Sequence, residues 1–504
     1  MKKRRFIQNA LVMTAATFLM RAIGTLFQVY LSNRIGAEGI GLFQLTSSVY
    51  LLAVTLSTSG ISLAVTRIVS EEMALNNPLA AKSAFRRCLL LSLTLGMLAG
   101  GLLLWGGRWL GTVILGDART VPALRLLSFG LPFLAAASVM RGYFLGLQKP
   151  IQSISGDAIE QLAMMVLTIP LLTLFLPKGL EAACCALVIG SAVSEAVSCL
   201  YSGFLCLRSR LPSSGKIPRG MNRRIGGIAL PIAVSNYFRS LLTTLENVLV
   251  PPSLKRYGAS EGEALSQYGL VKGMAMPILM LPAAAMSAFA SLLVPEVASA
   301  RAIGDKKKID FMVNKCFQAT LQFSFWVTGI FLCFGQEIGS AFYRDPRVGS
   351  TLLILTPLVP LLYLDQIVDS ILKGLNQQLS SMKYNTMDSI LRVLLIWILI
   401  PIWGMKGYLV MFFCGTIFNA GLSINRLIVV SRVHFQTLRW VIGPVAAIAA
   451  SCLLVCSLVS CPLVLRIGLV TGIYFFLLRL TGSLKREDLE WGKRIFSKSR
   501  TKAD

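Results

Sequence analysis

One arginine, Arg21, lies in the middle of the first long apolar stretch of the chain, residues 9–32. A cation at the centre of a bilayer costs about 2.5–3.5 kcal/mol on insertion scales. We therefore expect Arg21 to face a water-filled cavity rather than lipid. Arginine holds phosphate or carboxylate groups through two parallel N–H···O bonds. The chemistry that this position predicts is the binding of an anion within the membrane.

Polar side chains accompany this arginine at helical spacing. Thr25 and Gln28 follow Arg21 at steps of four and three residues, which places all three on one face of a helix. A second apolar stretch, residues 225–250, repeats the spacing with another arginine, and a lysine lies near the start of the stretch at 267–295. Such cations favour an anionic ligand. The predicted cavity residues are Arg21, Thr25, Gln28, Arg239, Thr243, Glu246 and Lys272.

Carboxylates also occur in the apolar stretches of the second half. Asp365 and Asp369 are one helical turn apart, and Lys373 follows one turn later. Asp388 and Arg392 have the i, i+4 spacing of an ion pair within one helix. Two interpretations stay open for these residues. They either neutralise one another as structural pairs, or they couple transport to an ion.

The cysteines and histidine indicate no disulfide framework and no metal site. The 11 cysteines include no Cys-x-x-Cys pair, and His434 is the single histidine. These patterns lack the spacing of a zinc site or a disulfide scaffold. We expect no metal, no cofactor and no catalytic residue, and we interpret the cysteines as small buried hydrophobes.

The composition predicts which elements position these residues. Of the 504 residues, 55% are hydrophobic and 14% are charged, whereas soluble proteins carry about 25% charged residues. Apolar runs recur that are long enough to cross a bilayer. The sequence predicts an all-α polytopic membrane protein. Its net charge of +26 is explained by basic loops, so we do not expect it to bind nucleic acid. The 14 predicted spans are 9–32, 40–64, 85–106, 121–147, 157–176, 180–206, 225–250, 267–295, 312–336, 350–373, 384–403, 406–430, 439–460 and 463–481.

The distribution of positive charge predicts the orientation in the cell membrane. With the N-terminus inside, 32 of the 49 lysines and arginines fall in inside segments, 10 in outside loops and seven within spans or at their ends. Cytoplasmic loops are enriched in Lys and Arg, so we expect both termini in the cytoplasm. The linker 208–224 is then cytoplasmic and the loop 251–266 external. Arg141 is expected near a span end, with its charge reaching the membrane surface.

The chain also repeats itself. A shift of 228 residues places GLQKPIQSISGDAIEQL on GLNQQLSSMKYNTMDSI, and a shift of 218 places Arg21 on Arg239. Six spans separate the copies, so both copies have the same orientation, as in transporters with a site between two halves. The prediction is two parallel six-helix bundles plus two C-terminal helices. The segments are a first bundle at 1–207, the linker 208–224, a second bundle at 225–432, two further helices at 433–482 and a basic cytoplasmic tail at 483–504.

Two stretches resemble a known family. RAIGTLFQVYLSNRIGAEGIGLFQL and MRGYFLGLQKPIQSISGDAIEQL resemble the stage V sporulation protein B family. That family belongs to the multidrug/oligosaccharidyl-lipid/polysaccharide (MOP) flippase superfamily, together with the lipid II flippase MurJ and the Wzx-type oligosaccharide flippases. The resemblance covers essentially the whole chain, and it implies a MATE/MurJ-like fold.

The resemblance also implies a function. It implies a flippase that moves an undecaprenyl-diphosphate-linked glycan by alternating access, with peptidoglycan precursor for the spore cortex as the expected substrate. In MurJ-like proteins a cationic cavity takes the diphosphate and sugar, and a groove along the last two helices takes the lipid tail. Arg21 matches the family's arginine in span 1. Lys272 stands where MurJ has an arginine, which keeps the charge but loses the two-pronged hydrogen bonding.

The expected partners are the lipid-linked glycan and membrane lipids, and an added role beside cell-wall synthesis enzymes stays open. A cation-coupled multidrug exporter of the same superfamily is the alternative, favoured by Asp365, Asp369 and Glu246. The arginines and the two extra helices argue against it. A glycan polymerase or glycosyltransferase needs a catalytic loop, and residues 251–266 contain no histidine, no Asp-x-Asp and no phosphate-binding glycine loop. The prediction is a transporter and not an enzyme.

Overall fold

The described part of the protein is almost entirely helical. The computed structural model describes residues 2–209, 212, 214–431, 436–458, 461–485 and 488, so His434 lies outside the described residues. The helices of the first part are α1 (Lys2–Thr58), α2 (Ile61–Ala74), α3 (Pro78–Trp109), α4 (Thr120–Gly146), α5 (Pro150–Phe175), α6 (Leu180–Arg208), α7 (Met221–Tyr257) and α8 (Glu261–Gly269). The helices of the second part are α9 (Met276–Met280), α10 (Ala283–Ile303), α11 (Lys306–Phe342), α12 (Arg347–Leu355), α13 (Val359–Gly374), α14 (Gln378–Trp403), α15 (Met405–Val430), α16 (Gly443–Leu458) and α17 (Leu463–Leu480).

Within these residues, 12 helical stretches are long and apolar enough to cross a membrane. The prediction of an all-α polytopic membrane protein is confirmed, and the predicted number of 14 spans is approximate. One difference is that predicted spans 9–32 and 40–64 lie in one helical run, Ala16–Ala74. The other is that predicted span 267–295 is divided between a wide turn at Leu270–Ala275, α9 and α10.

Gly36 separates the first two predicted spans within α1. Its φ of 72° and ψ of 179° interrupt the helix, and this backbone conformation is essentially restricted to glycine. The chain therefore passes from span 1 to span 2 without a loop. A periodicity argument alone does not show whether such a glycine ends a helix or lies within it.

The chain forms two compact units. Unit 1 contains Met1–Val29 and Leu270–Asp504, and unit 2 contains Tyr30–Gly269. The first part of α1 therefore groups with the second half of the chain, and α7 groups with the first half. The predicted bundles at 1–207 and 225–432 follow the repeat in the sequence, and that division stays a prediction.

The 228-residue repeat is visible in the turns between helices. Asn76 and Gln148 in unit 2, and Gly304 and Asn376 in unit 1, all have positive φ, from 55° to 77°. Positions 76 and 304 differ by 228, as do 148 and 376. After each, the next N–H bonds the carbonyl five residues earlier at 2.8–3.0 Å. This pattern is the Schellman helix ending, so both units close the same helices in the same way.

Small residues bring α4 against α2 in unit 2. A Cβ added to Gly142 would lie 2.6 Å from the carbonyl oxygen of Ser62, and one added to Gly146 would lie 2.8 Å from that of Thr66. The Thr66 hydroxyl donates to the Gly142 carbonyl at 2.9 Å. Helix association in membranes depends on such close backbone approach. The RGYFLG motif therefore has a packing role.

The predicted loop 251–266 is mostly helical, and its external location stays a prediction. α7 continues through Pro251 and Pro252 to Tyr257, and α8 begins at Glu261. Each proline lacks an N–H, so the carbonyl four residues earlier loses its helical hydrogen bond. The helix nevertheless continues past both prolines. Gly258, with a φ of 114°, ends α7. The structure thus has a helix that contains both prolines.

Candidate functional site

A break in the helical path around Lys272 organises unit 1. The chain passes through the wide turn at Leu270–Ala275 into α9 and then, after Pro282, into α10. Backbone carbonyls along this irregular helical path also accept hydrogen bonds from side chains of neighbouring elements. Side chains of α1, of α13 and of the residue after α11 supply them. The three hydrogen bonds are Gln28 Nε2 to Gly273 O (3.1 Å), Tyr343 Oη to Met274 O (3.2 Å) and Tyr363 Oη to Leu279 O (2.6 Å).

Lys272 and Arg392 both contact the ring of Phe412. The Lys272 Nζ lies 5.3 Å from the ring centroid, and the Arg392 Cζ lies 5.6 Å from it. These are cation–π distances. Arg392 is also paired with Asp388, with Nε and Oδ2 2.9 Å apart. The Phe412 ring on α15 therefore lies between two cations, Lys272 in the Leu270–Ala275 turn and Arg392 on α14, and Asp388 neutralises the second.

Arg21 is exposed, and its side chain contacts a neutral group. Its Nη1 donates to the Ser287 hydroxyl on α10 at 3.1 Å, and Gln366 on α13 also donates to that hydroxyl. No carboxylate within the described residues lies at ion-pair distance from Arg21. The Thr25 hydroxyl donates to the Arg21 carbonyl at 2.9 Å. The predicted stripe of span 1 therefore lies against α10 and the broken segment, all within unit 1.

Arg239 belongs to unit 2. Its side chain and that of Thr243 are exposed, whereas Glu246 is buried. The Thr243 hydroxyl donates to the Arg239 carbonyl at 3.0 Å, which repeats the contact between Thr25 and Arg21. The two stripes thus share their local geometry. The cavity that they line together stays a prediction.

The two ion pairs predicted by spacing are both formed. Lys373 Nζ lies 2.7 Å from Asp369 Oδ2, and the pair of Asp388 and Arg392 is described above. Asp369 also accepts a hydrogen bond from Ser381. These residues satisfy one another, as the structural interpretation requires. The ion-coupling interpretation therefore depends on the remaining carboxylate, Asp365.

Asp365 is half-buried and incompletely bonded. Its Oδ2 accepts from Asn419 Nδ2 at 3.0 Å, and its buried Oδ1 has no hydrogen-bond partner within the described residues. Asn419 Nδ2 also lies 3.3 Å from Asn385 Oδ1. These two asparagines were not among the residues predicted from the sequence. The signal that could have identified them is the presence of amide side chains within apolar spans.

Unit 2 contains a second polar cluster, whose contacts between helices were not predicted from the sequence. The Tyr50 hydroxyl donates to the buried Glu195 carboxylate at 2.7 Å. Arg141 pairs with Glu160 at 2.8 Å and with Asp157 at 3.0 Å. Two carboxylates on the neighbouring helix therefore hold the charge of Arg141, and its reach to the membrane surface stays a prediction. Partners on different helices are not visible as periodicity in the sequence.

An apolar cavity of about 630 Å³ lies between α11, α13 and α16 in unit 1. Its walls include Leu332, Pro360 and Ile448. The cysteines Cys333 and Cys452 also line it, and they are free thiols. A cavity with such walls accommodates hydrocarbon.

Together these features define a multi-pass helical membrane protein with cations held inside its spans. A family model described as polysaccharide biosynthesis protein matches residues 6–301. The chain therefore belongs to the polysaccharide biosynthesis protein family.

Curated relatives support the resemblance identified in the sequence. The chain is 25% identical over 417 residues to stage V sporulation protein B of Bacillus subtilis (strain 168), covering 81% of this chain and 80% of the relative. It is 22% identical over 405 residues to lipid II flippase MurJ of the same organism, covering 74% and 73%. The resemblance to the stage V sporulation protein B family within the MOP superfamily is confirmed.

Solved structures have the same fold. Lipid II flippase MurJ in an inward closed conformation matches with a TM-score of 0.68 and 12% identity, covering 92% of this chain and 97% of that chain. An inward-facing multidrug resistance MATE family transporter of the MOP superfamily matches with a TM-score of 0.64 and 15% identity, covering 82% and 96%. The MATE/MurJ-like fold is confirmed.

Proposed function

We propose that this protein is a flippase that moves a glycan linked to a lipid diphosphate across the membrane, and that Arg21 binds the diphosphate. The observation that carries the proposal is the contact of Arg21. A guanidinium in the middle of a membrane span bonds to a neutral hydroxyl, and within the described residues it has no carboxylate. An anionic ligand is the natural partner for such a group.

The charges of unit 1 fit a diphosphate. Arg21 offers a two-pronged contact, and Lys272, held beside Phe412, acts as a point charge. A hydrogen bond to a charged group contributes about 1.5–3 kcal/mol, so each contact changes the dissociation constant by roughly 10- to 150-fold. When the anion binds, Arg21 exchanges the Ser287 hydroxyl for a phosphate oxygen, and this gain exists only in the loaded state.

The route for the rest of the substrate follows from the other features. The apolar cavity between α11, α13 and α16 offers a place for the lipid tail. Rocking of two halves about a central site moves the headgroup without exposing it to hydrocarbon. The π-helical turn at Leu270–Ala275 is the segment on which we propose that such motion acts, because the regular α-helical hydrogen bonding changes there.

We further propose that the substrate is an undecaprenyl-diphosphate-linked peptidoglycan precursor for the spore cortex, moved across the cell membrane by a protein with both termini in the cytoplasm. The names of the relatives, a stage V sporulation protein and a lipid II flippase, support this choice. The proposal makes the lipid-linked glycan and membrane lipids the partners.

Reconstituted vesicles test the proposal. Transport of lipid II is compared with transport of an undecaprenyl-monophosphate glycan and of an uncharged lipid-linked sugar. We expect lipid II to move fastest, Arg21→Ala to lower the rate roughly 10- to 150-fold, Arg21→Lys to retain part of it, and Arg21→Glu to abolish it. Arg34→Ala is the matched control, because Arg34 is an exposed cation 13 positions later. Equal transport by wild type and Arg21→Ala would refute the role of Arg21.

A multidrug exporter is a second candidate, because the buried Oδ1 of Asp365 has no hydrogen-bond partner within the described residues. Cation-coupled exporters use such carboxylates. In the same vesicles, efflux of a cationic dye that disappears in Asp365→Asn, together with no movement of lipid II, would favour the exporter. Movement of lipid II without dye efflux would favour the flippase.

A further inference from the structure

A second cavity in unit 1 lies where α10 meets α11. It has a volume of about 720 Å³. Its walls come from the turn at Gly304, the turn between α13 and α14, and the end of α15. The charge distribution predicts that all of these segments lie on the cytoplasmic side. Along α10, Arg301 is 14 residues from Ser287, or roughly 21 Å at the helical rise, so this cavity is separate from the site of Arg21.

Cations dominate the walls of this cavity. Arg301, Lys306 and Lys307 contribute three positive charges, against one carboxylate from Asp310. All three cationic side chains are exposed. The wall residue Gln377 accepts a hydrogen bond from Arg426 at 2.8 Å, which places a fourth cation behind the wall. An anion is therefore the ligand that the cavity attracts.

The backbone holds these cations in place. Gly304 has a φ of 77°, and the Asp305 side chain caps α11 by accepting the Lys308 N–H at 3.0 Å. The turn between the two helices is thus closed by the same helix ending as the other cytoplasmic turns. Lys306 and Lys307 project from a fixed helix start rather than from a loose loop.

Apolar groups surround the charges. Val429 and Val430 line the cavity beside the cations, and Val429 is 69% exposed. Ile303, next to Gly304, is 81% exposed. Charged and exposed apolar side chains at the end of membrane spans together match an amphiphile, with a phosphate at the cations and hydrocarbon at the rim. A free inorganic anion would gain no binding energy from the apolar rim.

The repeat provides an internal contrast. Moving back by 228 residues, Arg301, Lys306 and Lys307 correspond to Met73, Pro78 and Leu79 in unit 2. None of those residues is charged. There the chain's own linker covers the turn, since Leu79 N–H donates to the Ser214 carbonyl at 3.1 Å. The unit 2 turn has its own cations at other positions, among them Arg67 and Lys82, so the two turns differ in where their cations lie.

We propose that this cavity binds the phosphodiester headgroup of an anionic membrane phospholipid, such as phosphatidylglycerol. Basic pockets between spans on the cytoplasmic side bind lipid headgroups of this kind. The bound lipid joins the ends of α10, α11 and α15. The site is distinct from the proposed transport site and does not depend on it.

Binding by the purified full-length protein tests the proposal. Native mass spectrometry and the shift in unfolding temperature are measured with added phosphatidylglycerol, with phosphatidylcholine, with inorganic phosphate and with lipid II. The triple variant Arg301→Gln, Lys306→Gln, Lys307→Gln is compared with a variant that removes the same charge from the basic linker, Lys216→Gln, Arg219→Gln, Arg223→Gln. We expect phosphatidylglycerol to bind the wild type and the linker variant equally, and the cavity variant about 100-fold more weakly.

Four results would overturn the proposal. They are equal binding of phosphatidylglycerol by the cavity and linker variants, equal affinity for phosphatidylcholine, inorganic phosphate binding as tightly as the lipid, and a loss confined to lipid II. The unfolding temperature in phosphatidylcholine should be the same for all three proteins, which shows that the variants are folded. Lys306→Arg, which keeps the charge, should bind like the wild type.

Discussion

Two turns, one in each unit, carry the same Asp-x-Arg motif 228 residues apart. In unit 2 the Arg119 N–H and Nη2 donate to Asp117 at 2.9 Å each. In unit 1 the Arg347 N–H and Nη2 donate to Asp345 at 2.9 and 2.7 Å. The surroundings differ, because the side chain of Asp117 is 3% exposed and that of Asp345 is 20% exposed. The repeat preserves the local hydrogen bonds while the environment of each copy changes.

The membrane-spanning arginines show the same contrast. Arg21 and Arg239 are matched by the repeat, and each carbonyl accepts from a threonine one turn later. Arg21 bonds to Ser287 on α10, whereas no such side-chain bond of Arg239 occurs within the described residues. We infer that the units share a scaffold, and that their functional difference lies in what surrounds each repeated residue.

The largest expected difference between the units concerns the two Asp-x-Arg turns. Arg119→Leu leaves the buried Asp117 without its partner, which costs about 3–5 kcal/mol of unfolding free energy. Arg347→Leu breaks a pair whose arginine is 58% exposed, so its cost is about 0–1 kcal/mol. The measurement is chemical unfolding in detergent at neutral pH.

A double variant sharpens this result. Adding Asp117→Asn to Arg119→Leu removes the unpaired charge and should restore most of the lost stability. Arg119 also donates to Glu38 at 2.8 Å, so part of the loss should persist. Equal destabilisation by Arg119→Leu and Arg347→Leu would show that burial does not separate the two turns.

The next expected difference concerns transport. Arg21→Ala should slow the flipping of lipid II roughly 10- to 150-fold, and Arg239→Ala should slow it less than about tenfold, since no side-chain hydrogen bond of Arg239 occurs within the described residues. Lys272→Arg should retain the rate, because the charge beside Phe412 remains. If Arg239→Ala is as severe as Arg21→Ala with equal expression, the two copies act symmetrically, and the inference of functional asymmetry is wrong.

The sequence predicted those features that depend on neighbouring residues. Helical periodicity placed the stripe of Arg21, Thr25 and Gln28 on one face, and the spacing of Asp388 and Arg392 predicted their pair. It did not predict that Arg21 contacts Ser287, because that contact joins segments 266 positions apart. Local patterns specify helices and faces, whereas the partner of each face depends on packing that a single sequence does not display.

The continuation of α7 past two prolines shows the same limit. Pro251 and Pro252 are strong signals for a helix end, yet the helix extends to Tyr257. Propensity favoured a loop, and tertiary packing overrode it. The asparagines beside Asp365 were likewise not identified, because an isolated amide in an apolar span has no sequence partner that reveals its role.

Smaller effects are expected at the glycines matched by the repeat. A Cβ at Gly146 would lie 2.8 Å from the Thr66 carbonyl oxygen, and one at Gly374 would lie 3.0 Å from that of Val294. Alanine at either position should cost about 1–3 kcal/mol through overpacking, with Gly146 the more sensitive. Gly101→Ala and Gly421→Ala are the controls, since nothing lies within 4 Å of a Cβ there. Unfolding temperatures measure the difference, and unchanged stability of Gly146→Ala would show that α2 and α4 do not approach so closely.

The smallest expected effect is the pH dependence of the exposed turn. The hydrogen bonds from Arg347 hold the pKa of Asp345 below its usual value of 3.8. A carboxylate with a lowered pKa in the folded state stabilises the protein above its unfolded pKa, and this contribution is lost as the pH falls through the folded pKa. Because the arginine is exposed, the contribution should be about 0–1 kcal/mol. Unfolding temperatures of the wild type and Arg347→Gln should therefore differ slightly at pH 7 and converge as the pH falls through the folded pKa of Asp345, below which the carboxyl is protonated in both. A difference that stays constant or grows in acid would mean that Arg347 acts through packing rather than through its charge. In that case the two Asp-x-Arg turns would share only their backbone geometry.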